Sequence, residues 1–430
     1  VAAAFVAWLT AAAASAAPPG VLLIVLDDLG LQLSSYGDRT ITTPHLDGIA
    51  AAGVRFSNAY VTQSSCSAAR SSMLTGAYPH QTGQIGLAHL GFAMHRAYPT
   101  IPSRLKDAGY VTGIIGKLHV QPDPPTQWSW RADHTTWPDS TRDVRRVALA
   151  AAEFLTVATG QPFFLQVSLL DPHEPWQDQV QGLPPEPIAA RDIDRNAWTG
   201  EPVPDAEKAA VAAYYNSIKR ADIGVGLLLD TLADFGRGDD TLIIALGDNG
   251  PEIVQGGPPS LPGGKADIFE AGLRVPFLVA GPEGRAPGQV RDELVSVLDL
   301  LPTILDFAGL PPPTADDIAT GGRSLLPILR GENPSTGLVW RSYLYTEMSY
   351  HGPDIYRPAR AVRDRSYRLI RTYPPFERGV GGLMLFDLER DPRETVNRID
   401  DPAYAEVLAR LIDRLDRWQV RTDDLLAGRR

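Results

Sequence analysis

Cysteine is almost missing from this chain: its 430 residues contain one, Cys66. No intrachain disulfide can form, so the fold has to stand on its buried core. Positive charge is also in short supply. A net charge of −11 argues against non-specific binding to nucleic acid or anionic polymers, and points to a ligand that is small or taken end-on. Long apolar runs are missing apart from the alanine-rich stretch Val1 to Ala17, which is too short to span a membrane. It closes on Ala14-Ser15-Ala16-Ala17-Pro18-Pro19 and reads as the apolar core and cleavage site of a partial secretory signal peptide (residues 1–17), without the initiating Met and basic start. An exported protein, periplasmic, secreted or lysosomal, with no membrane span once the signal is removed, is the expectation. An unpaired thiol in such a protein is a flag for chemistry or modification. Repeats, coiled-coil heptads and long low-complexity segments are missing as well.

What is present is an ordinary globular composition, 44% apolar and 21% charged, long enough for a large core with an appendage. Val21-Leu22-Leu23-Ile24-Val25-Leu26 is an unbroken apolar run of the kind a central parallel strand needs when both its faces are covered. Similar runs recur at Val111 to Ile115, Phe163 to Leu169, Thr241 to Leu246 and Val275 to Ala280. Amphipathic stretches near Thr43 to Ala52, Ile101 to Ala108, Arg142 to Thr159, Ala206 to Asp234 and Leu294 to Ala308 alternate with them. The alternation predicts a doubly wound, mostly parallel α/β sheet flanked by helices, with ligands beyond the carboxyl ends of the strands. Gln121 to Asp139, rich in Pro and Trp, reads as a surface loop near that edge. After Pro311-Pro312-Pro313 the composition shifts. Tyr343 to Met348, Ala359 to Val362, Tyr367 to Arg371 and Met384 to Leu388 predict an antiparallel sheet, and Asp401 to Gln419 a closing helix. The expected division is residues 18–312 as the principal domain and 313–430 as a smaller α+β subdomain.

Polar clusters follow the buried strands. Asp27-Asp28 ends the first run and Asp248-Asn249 another. Each pair suits an ordinary turn by itself, but together, with no paired His or Cys, they favour an oxygen-ligated hard cation, Ca²⁺ or Mg²⁺. A helix starting at Ser67 places Cys66 at the positive end of its dipole, with Arg70 one turn along the same face, an arrangement that suits a tetrahedral oxyanion. Lys117 and His119 follow the strand from Val111 on a segment expected to be extended, which would point both side chains the same way, and Asp171-Pro172-His173 follows the strand from Phe163, making His173 a candidate proton donor.

Six segments occur in one order: Asp27-Asp28-Leu29-Gly30, Cys66-Ser67-Ala68-Ala69-Arg70 with Leu74-Thr75-Gly76, Gly116-Lys117-Leu118-His119, Asp171-Pro172-His173, Gly247-Asp248-Asn249-Gly250, and Gly263-Gly264-Lys265 with Arg274-Val275-Pro276. In that order they resemble the sulfatases of the alkaline phosphatase superfamily, from about Val21 to the C-terminus. The resemblance implies that a formylglycine-generating enzyme oxidises Cys66, and that the hydrated aldehyde is the nucleophile. It also implies that Asp27, Asp28, Asp248 and Asn249 bind Ca²⁺, with Mg²⁺ as the alternative. Arg70 and Lys117 would hold the hydrate and the sulfate oxygens. His119 would take a hydroxyl proton as sulfate leaves, and His173 and Lys265 would contact substrate. Thr112 to Val120, Pro162 to Leu165, Ser296 to Asp306, Gly322 to Pro327 and His351 to Val362 look most like the sulfamidase group, which acts on N-sulfoglucosamine of heparan-type saccharides. His351 would then read the sugar, although His351-Gly352-Pro353 equally suits a plain turn. Ala68 stands where the Cys66 motif commonly has proline, and Gly263-Gly264-Lys265 with Glu270-Ala271-Gly272 looks more like arylsulfatases. An O-sulfated sugar or aryl sulfate is therefore the alternative substrate, followed by phosphonate monoesters and phosphodiesters. A thiolate hydrolase using Cys66 with His119 or His173 is a further reading.

Overall fold

Every residue of β1 (Gly20–Leu26) is buried, and its side chains alternate between two cores. Val21, Leu23 and Val25 enter one, and Leu22, Ile24 and Leu26 the other. At roughly 1.5–3 kcal/mol for each such side chain, this strand is the centre of the molecule. The computed structural model describes residues 19–133, 142–195, 200–252, 264–282, 287–314, 321–333, 335, 337–374 and 382–429. The apolar run at 1–17, the end of the Pro- and Trp-rich stretch at 134–139 and Gly263 lie outside them.

Seven more strands complete the large sheet: β2 (Val54–Tyr60), β3 (Val111–Gly116), β4 (Trp130–Asp133), β5 (Phe163–Leu169), β6 (Thr241–Gly247), β7 (Phe277–Ala280) and β8 (Gln289–Ser296). Their order is β4-β3-β5-β1-β6-β7-β2-β8. All pairings are parallel except those of β7, which runs against β6 and β2. Helices Pro44–Ala52, Val144–Val157 and Lys208–Asp234 cover one face. Helices Cys66–Thr75, Ile101–Asp107 and Leu300–Phe307 cover the other.

A second, antiparallel sheet is formed by β9 (Leu344–Tyr350), β10 (Tyr356–Arg363), β11 (Tyr367–Thr372) and β12 (Leu383–Asp387), in the order β12-β11-β10-β9. The helix Ala405–Arg421 closes over it, packing Leu411, Leu415 and Trp418 against Val362, Leu369 and Leu385. Polar contacts tie this sheet to the first. Glu347 N–H donates to Thr62 O at 2.8 Å, Arg363 meets Glu270 at 3.1 Å, and Glu394, paired with Arg368 at 2.7 Å, accepts the N–H of Glu270 at 2.7 Å.

Three expectations are corrected. The helix expected from Leu294 begins with the 3-10 turn Val297–Asp299 and becomes α-helical at Leu300, because residues 294–296 are the inner end of β8. Gln121 to Asp139 is not all loop, since Trp130–Asp133 adds an edge strand beside β3. The strand expected from Val275 starts at Phe277, after Pro276, which lacks the N–H a ladder needs.

Candidate active site

β3, β5, β1 and β6 are consecutive in the sheet and parallel, so their carboxyl ends lie side by side. Lys117, His173, Asp27-Asp28 and Asp248-Asn249 follow those four ends, the position a doubly wound sheet reserves for its ligand. The turn from β3 into Lys117 requires Gly116: its φ is 81°, and a Cβ there would lie 2.1 Å from Ser168 O. Asp28 and His119 are held in the same left-handed region, at φ 61° and 58°. A non-glycine residue there costs on the order of 1–3 kcal/mol and persists only where its surroundings fix it. Around Asp28 they do: its N–H donates to Asp248 Oδ1 at 2.9 Å and its carbonyl accepts from Tyr214 Oη at 3.1 Å.

Cys66 opens the helix Cys66–Thr75. Ser65 is the capping residue but makes no side-chain cap, so the N–H groups of the first turn have no partner from it. Its hydroxyl instead lies 3.1 Å from His351 Nδ1. The Cys66 thiol is 1% exposed and donates to Asp28 Oδ1 at 3.8 Å. Burial pushes its pKa up, outweighing the opposing pull of Lys117 and Lys265. Arg70, one turn on, donates through Nε to Asp248 Oδ2 at 2.7 Å and through Nη1 to Lys117 O at 2.6 Å. Its Nη2 is buried without a hydrogen bond, 3.6 Å from Asp27 Oδ1.

Lys117 pairs with Asp27 at 2.5 Å and Lys265 with Asp28 at 2.8 Å. Burial opposes both ammonium charges, but the neighbouring acidic groups prevail and both pKa values are raised. The carboxylates split. Burial pushes Asp27 up, but Lys117 and Arg70 hold it well below the usual range. Asp248 is pushed up to about 6, by burial and by Asp27, against the pull of Arg70 and Lys117. His173 donates from Nδ1 to Glu174 O at 2.6 Å, so its Nε2 faces Asp28 Oδ2 at 3.8 Å. Two arginines hold this turn: Arg220 donates to both oxygens of Asp171 at 2.6 and 2.8 Å, and Arg142 to Asp171 at 2.5 Å and to His173 O at 2.9 Å.

All eleven residues expected from the sequence gather here. His119 differs from expectation in one respect. Its backbone is not extended, and its Nε2 meets the Nδ1 of His89 at 2.7 Å. His89 lies on the single turn Ala88–Leu90 and carried no sequence signal, having neither periodicity nor a strand end beside it.

The donor set fits a divalent cation. Asp27 Oδ1 and Asn249 Oδ1 are buried oxygens without a hydrogen-bond partner, and ligand atoms of Asp27, Asp28, Cys66 and His173 lie within 4.8 Å of one another. Crowding of Asp248 against Asp27 is the electrostatic strain that a cation would relieve.

Residues 19–310 match the family described as Sulfatase. The chain belongs to the sulfatase family. Residues 264–421 also match the family described as N-sulphoglucosamine sulphohydrolase, C-terminal. Human N-sulphoglucosamine sulphohydrolase is 33% identical over 473 residues, covering 95% of this chain and 91% of that protein. Human arylsulfatase A is 31% identical, covering 94% and 88%. In fold, the sulfatase resembles a protein solved in complex with its substrate D-glucosamine-2-N,6-O-disulfate, at a TM-score of 0.74 and 21% identity over 96% of this chain and 100% of that one. It also resembles the phosphonate monoester hydrolase of Agrobacterium radiobacter, at 0.72 and 21% over 94% and 96%. The chain is therefore a sulfate ester or sulfamate hydrolase. No helix among the described residues is long and apolar enough to cross a membrane.

Proposed function

We propose that this sulfatase removes the N-sulfate of non-reducing-end N-sulfoglucosamine in heparan- or heparin-type fragments, with Cys66 oxidised to formylglycine as its nucleophile. The full-length likeness to the human N-sulphoglucosamine enzyme carries the substrate reading. Residues 18–312 would carry the chemistry, with 313–430 as the subdomain beside it. The exported location expected from residues 1–17 and maturation by a formylglycine-generating enzyme belong to the same reading.

Asp27, Asp28, Asp248 and Asn249 would hold Ca²⁺, or Mg²⁺ in its place, and the ion supplies charge that offsets the incoming sulfate. The counting favours this. Asp27, Asp28 and Asp248 balance Arg70, Lys117 and Lys265, so a divalent cation leaves the pocket positive for an anion. Oxidation of Cys66 supplies a hydrated aldehyde that attacks sulfur. Arg70 Nη2, a buried donor without a hydrogen bond, is suited to a sulfate oxygen, with Lys117 and Lys265 beside it. His173, fixed by its Nδ1 hydrogen bond with Nε2 turned toward Asp28, is placed to donate a proton to the leaving nitrogen or oxygen. His119 takes a proton, and His351 contacts the sugar. A thiolate mechanism is disfavoured by burial of the thiol and by its hydrogen bond to a carboxylate, since among the described residues no histidine accepts from it.

A phosphonate monoester or phosphodiester is the second reading, favoured by the phosphonate hydrolase among the fold neighbours. The test is release of sulfate or alcohol from N-sulfoglucosamine, glucosamine-6-sulfate, a nitrophenyl sulfate and a phenyl phosphonate, with mass spectrometry of the Cys66 peptide. N-sulfoglucosamine should turn over fastest, and Cys66→Ala should turn over none. Turnover of glucosamine-6-sulfate alone overturns the N-sulfate assignment, and preference for the phosphonate overturns the sulfatase reading. An active protein with wholly unmodified Cys66 overturns the mechanism. His173→Ala should slow the sugar substrates far more than the nitrophenyl ester, whose leaving group needs little protonation.

A further inference from the structure

His89 is exposed, yet its Nδ1 lies 2.7 Å from His119 Nε2, with the ring centroids 4.9 Å apart and the planes tilted by 21°. Nδ1 of His119 is buried and has no partner among the described residues. A hydrogen bond between two neutral imidazoles allows two arrangements. Either His89 donates and His119 carries its hydrogen on the buried Nδ1, or His119 donates from Nε2 and Nδ1 is a bare lone pair. The first buries an N–H with no acceptor, in the field of two cations, Lys117 and Arg70. Orphaned N–H groups are the rarer kind of unsatisfied buried group, and a lone pair is the better end to present to positive charge. The second arrangement is favoured on both counts.

We propose that His89 is a positioning residue: it accepts the Nε2–H of His119, thereby fixing His119 with a bare Nδ1 as the proton acceptor of the site. Only the use of that proton acceptor rests on the sulfatase reading above. When Nδ1 takes a proton, the ring becomes an imidazolium whose Nε2–H bond to His89 is charge-assisted, and the proton later leaves from the same Nδ1. Holding tautomer and orientation while stabilising the transient imidazolium is the part a carboxylate plays in a serine hydrolase triad. A neutral imidazole suits this pocket better. Burial, then Lys117 and Arg70, with His89 adding to them and Asp27 opposing, push His119 down to about 2, so it rests neutral. On the other ring, burial, Lys117, His173 and Lys265 all lower His89 as well. A neutral acceptor fixes the tautomer without raising the basicity of His119 so far that it would trap a proton.

Two variants separate the roles. His89→Gln can still accept the Nε2–H through its amide oxygen, whereas His89→Phe keeps a ring and cannot. In ¹⁵N-histidine-labelled protein, assigned with His119→Ala, the nitrogen shifts of His119 should read Nε2–H in wild type and in His89→Gln, and a mixture in His89→Phe. In steady-state kinetics His89→Phe should lower kcat by roughly 10- to 100-fold with little change in KM, and His89→Gln should recover most of the loss. An Nδ1–H tautomer in wild type overturns the proposal. So does wild-type kcat in His89→Phe, or a rise in KM alone, which would make His89 a substrate contact. If the wild type turns over none of the substrates, the functional reading fails and the tautomer measurement still decides this one.

Discussion

Asp248 holds three things at once: the N–H of Asp28, the Nε of Arg70, and a share of the repulsion from Asp27. Asp248→Ala should therefore release Arg70 and remove a negative charge that a cation needs. Metal affinity, measured by titration of the chelator-treated protein, is expected to fall about 10- to 100-fold. Unchanged affinity would make the cluster structural. His351 gives a pH dependence with a definite sign. Burial, with Lys265 next, lowers it to about 4, against about 6.5 for an unperturbed histidine. Above about pH 6.5 both folded and unfolded forms are neutral and the residue contributes nothing. As pH falls toward 4 the unfolded chain takes up a proton that the folded one refuses, and stability is lost. His351→Gln should flatten the decline of Tm between about pH 6.5 and 4, and an unaltered slope would refute the assignment. Residues that follow buried strands were legible because the strand announces where they will be. His89 was not, since its partner is 30 positions away and only the close approach of two loops joins them.

At the scale of elements, the turn that presents His173 is clamped from the helix Lys208–Asp234, which supplies Arg220. Arg220 is fully buried and engages both oxygens of Asp171. Arg220→Ala leaves that carboxylate with Arg142 alone and should cost about 3 kcal/mol, read from urea unfolding. It should also slow the sugar substrates more than an activated aryl sulfate, because His173 loses its footing. A loss below about 0.5 kcal/mol would show that Arg142 suffices. The uninterrupted apolar strands, β1, β3, β5 and β6, could be read directly, and they are the ones that carry the site. β2 and β8 lie toward the other edge. β8 opens with Gln289-Val290-Arg291-Asp292, half in solvent, and only its last four residues are buried. Its apolar inner end runs straight into Val297-Leu298, so it reads as the start of the next helix until its pairing with β2 is known. β4 is four residues long and rests on its pairing with β3, which local propensity does not encode.

For the molecule as a whole, the second sheet is part of what shuts the site. β9 donates Glu347 N–H to Thr62 O, four residues before Cys66, and the loop after β9 brings His351 onto Ser65. The Glu347 carboxylate also grips His80, whose other nitrogen is 3.3 Å from Thr422 O at the end of the closing helix. Residues from opposite ends of the chain thus converge around a sulfur that is 1% exposed. If Cys66 is oxidised as proposed above, burial of this kind gives the chain a clock. The oxidising enzyme would have to reach Cys66, and a 1% exposed sulfur in the finished molecule is out of reach, so the interval between synthesis of residue 66 and docking of residues 344–350 would be the time available. Protein that folds first would be locked out as a thiol. Such protein should react with an aromatic disulfide reagent only on unfolding, at one equivalent per chain, and should gain no activity when folded material is treated with the oxidising enzyme. Rapid labelling of the native thiol would mean that the sheet opens, and that the clock can be rewound.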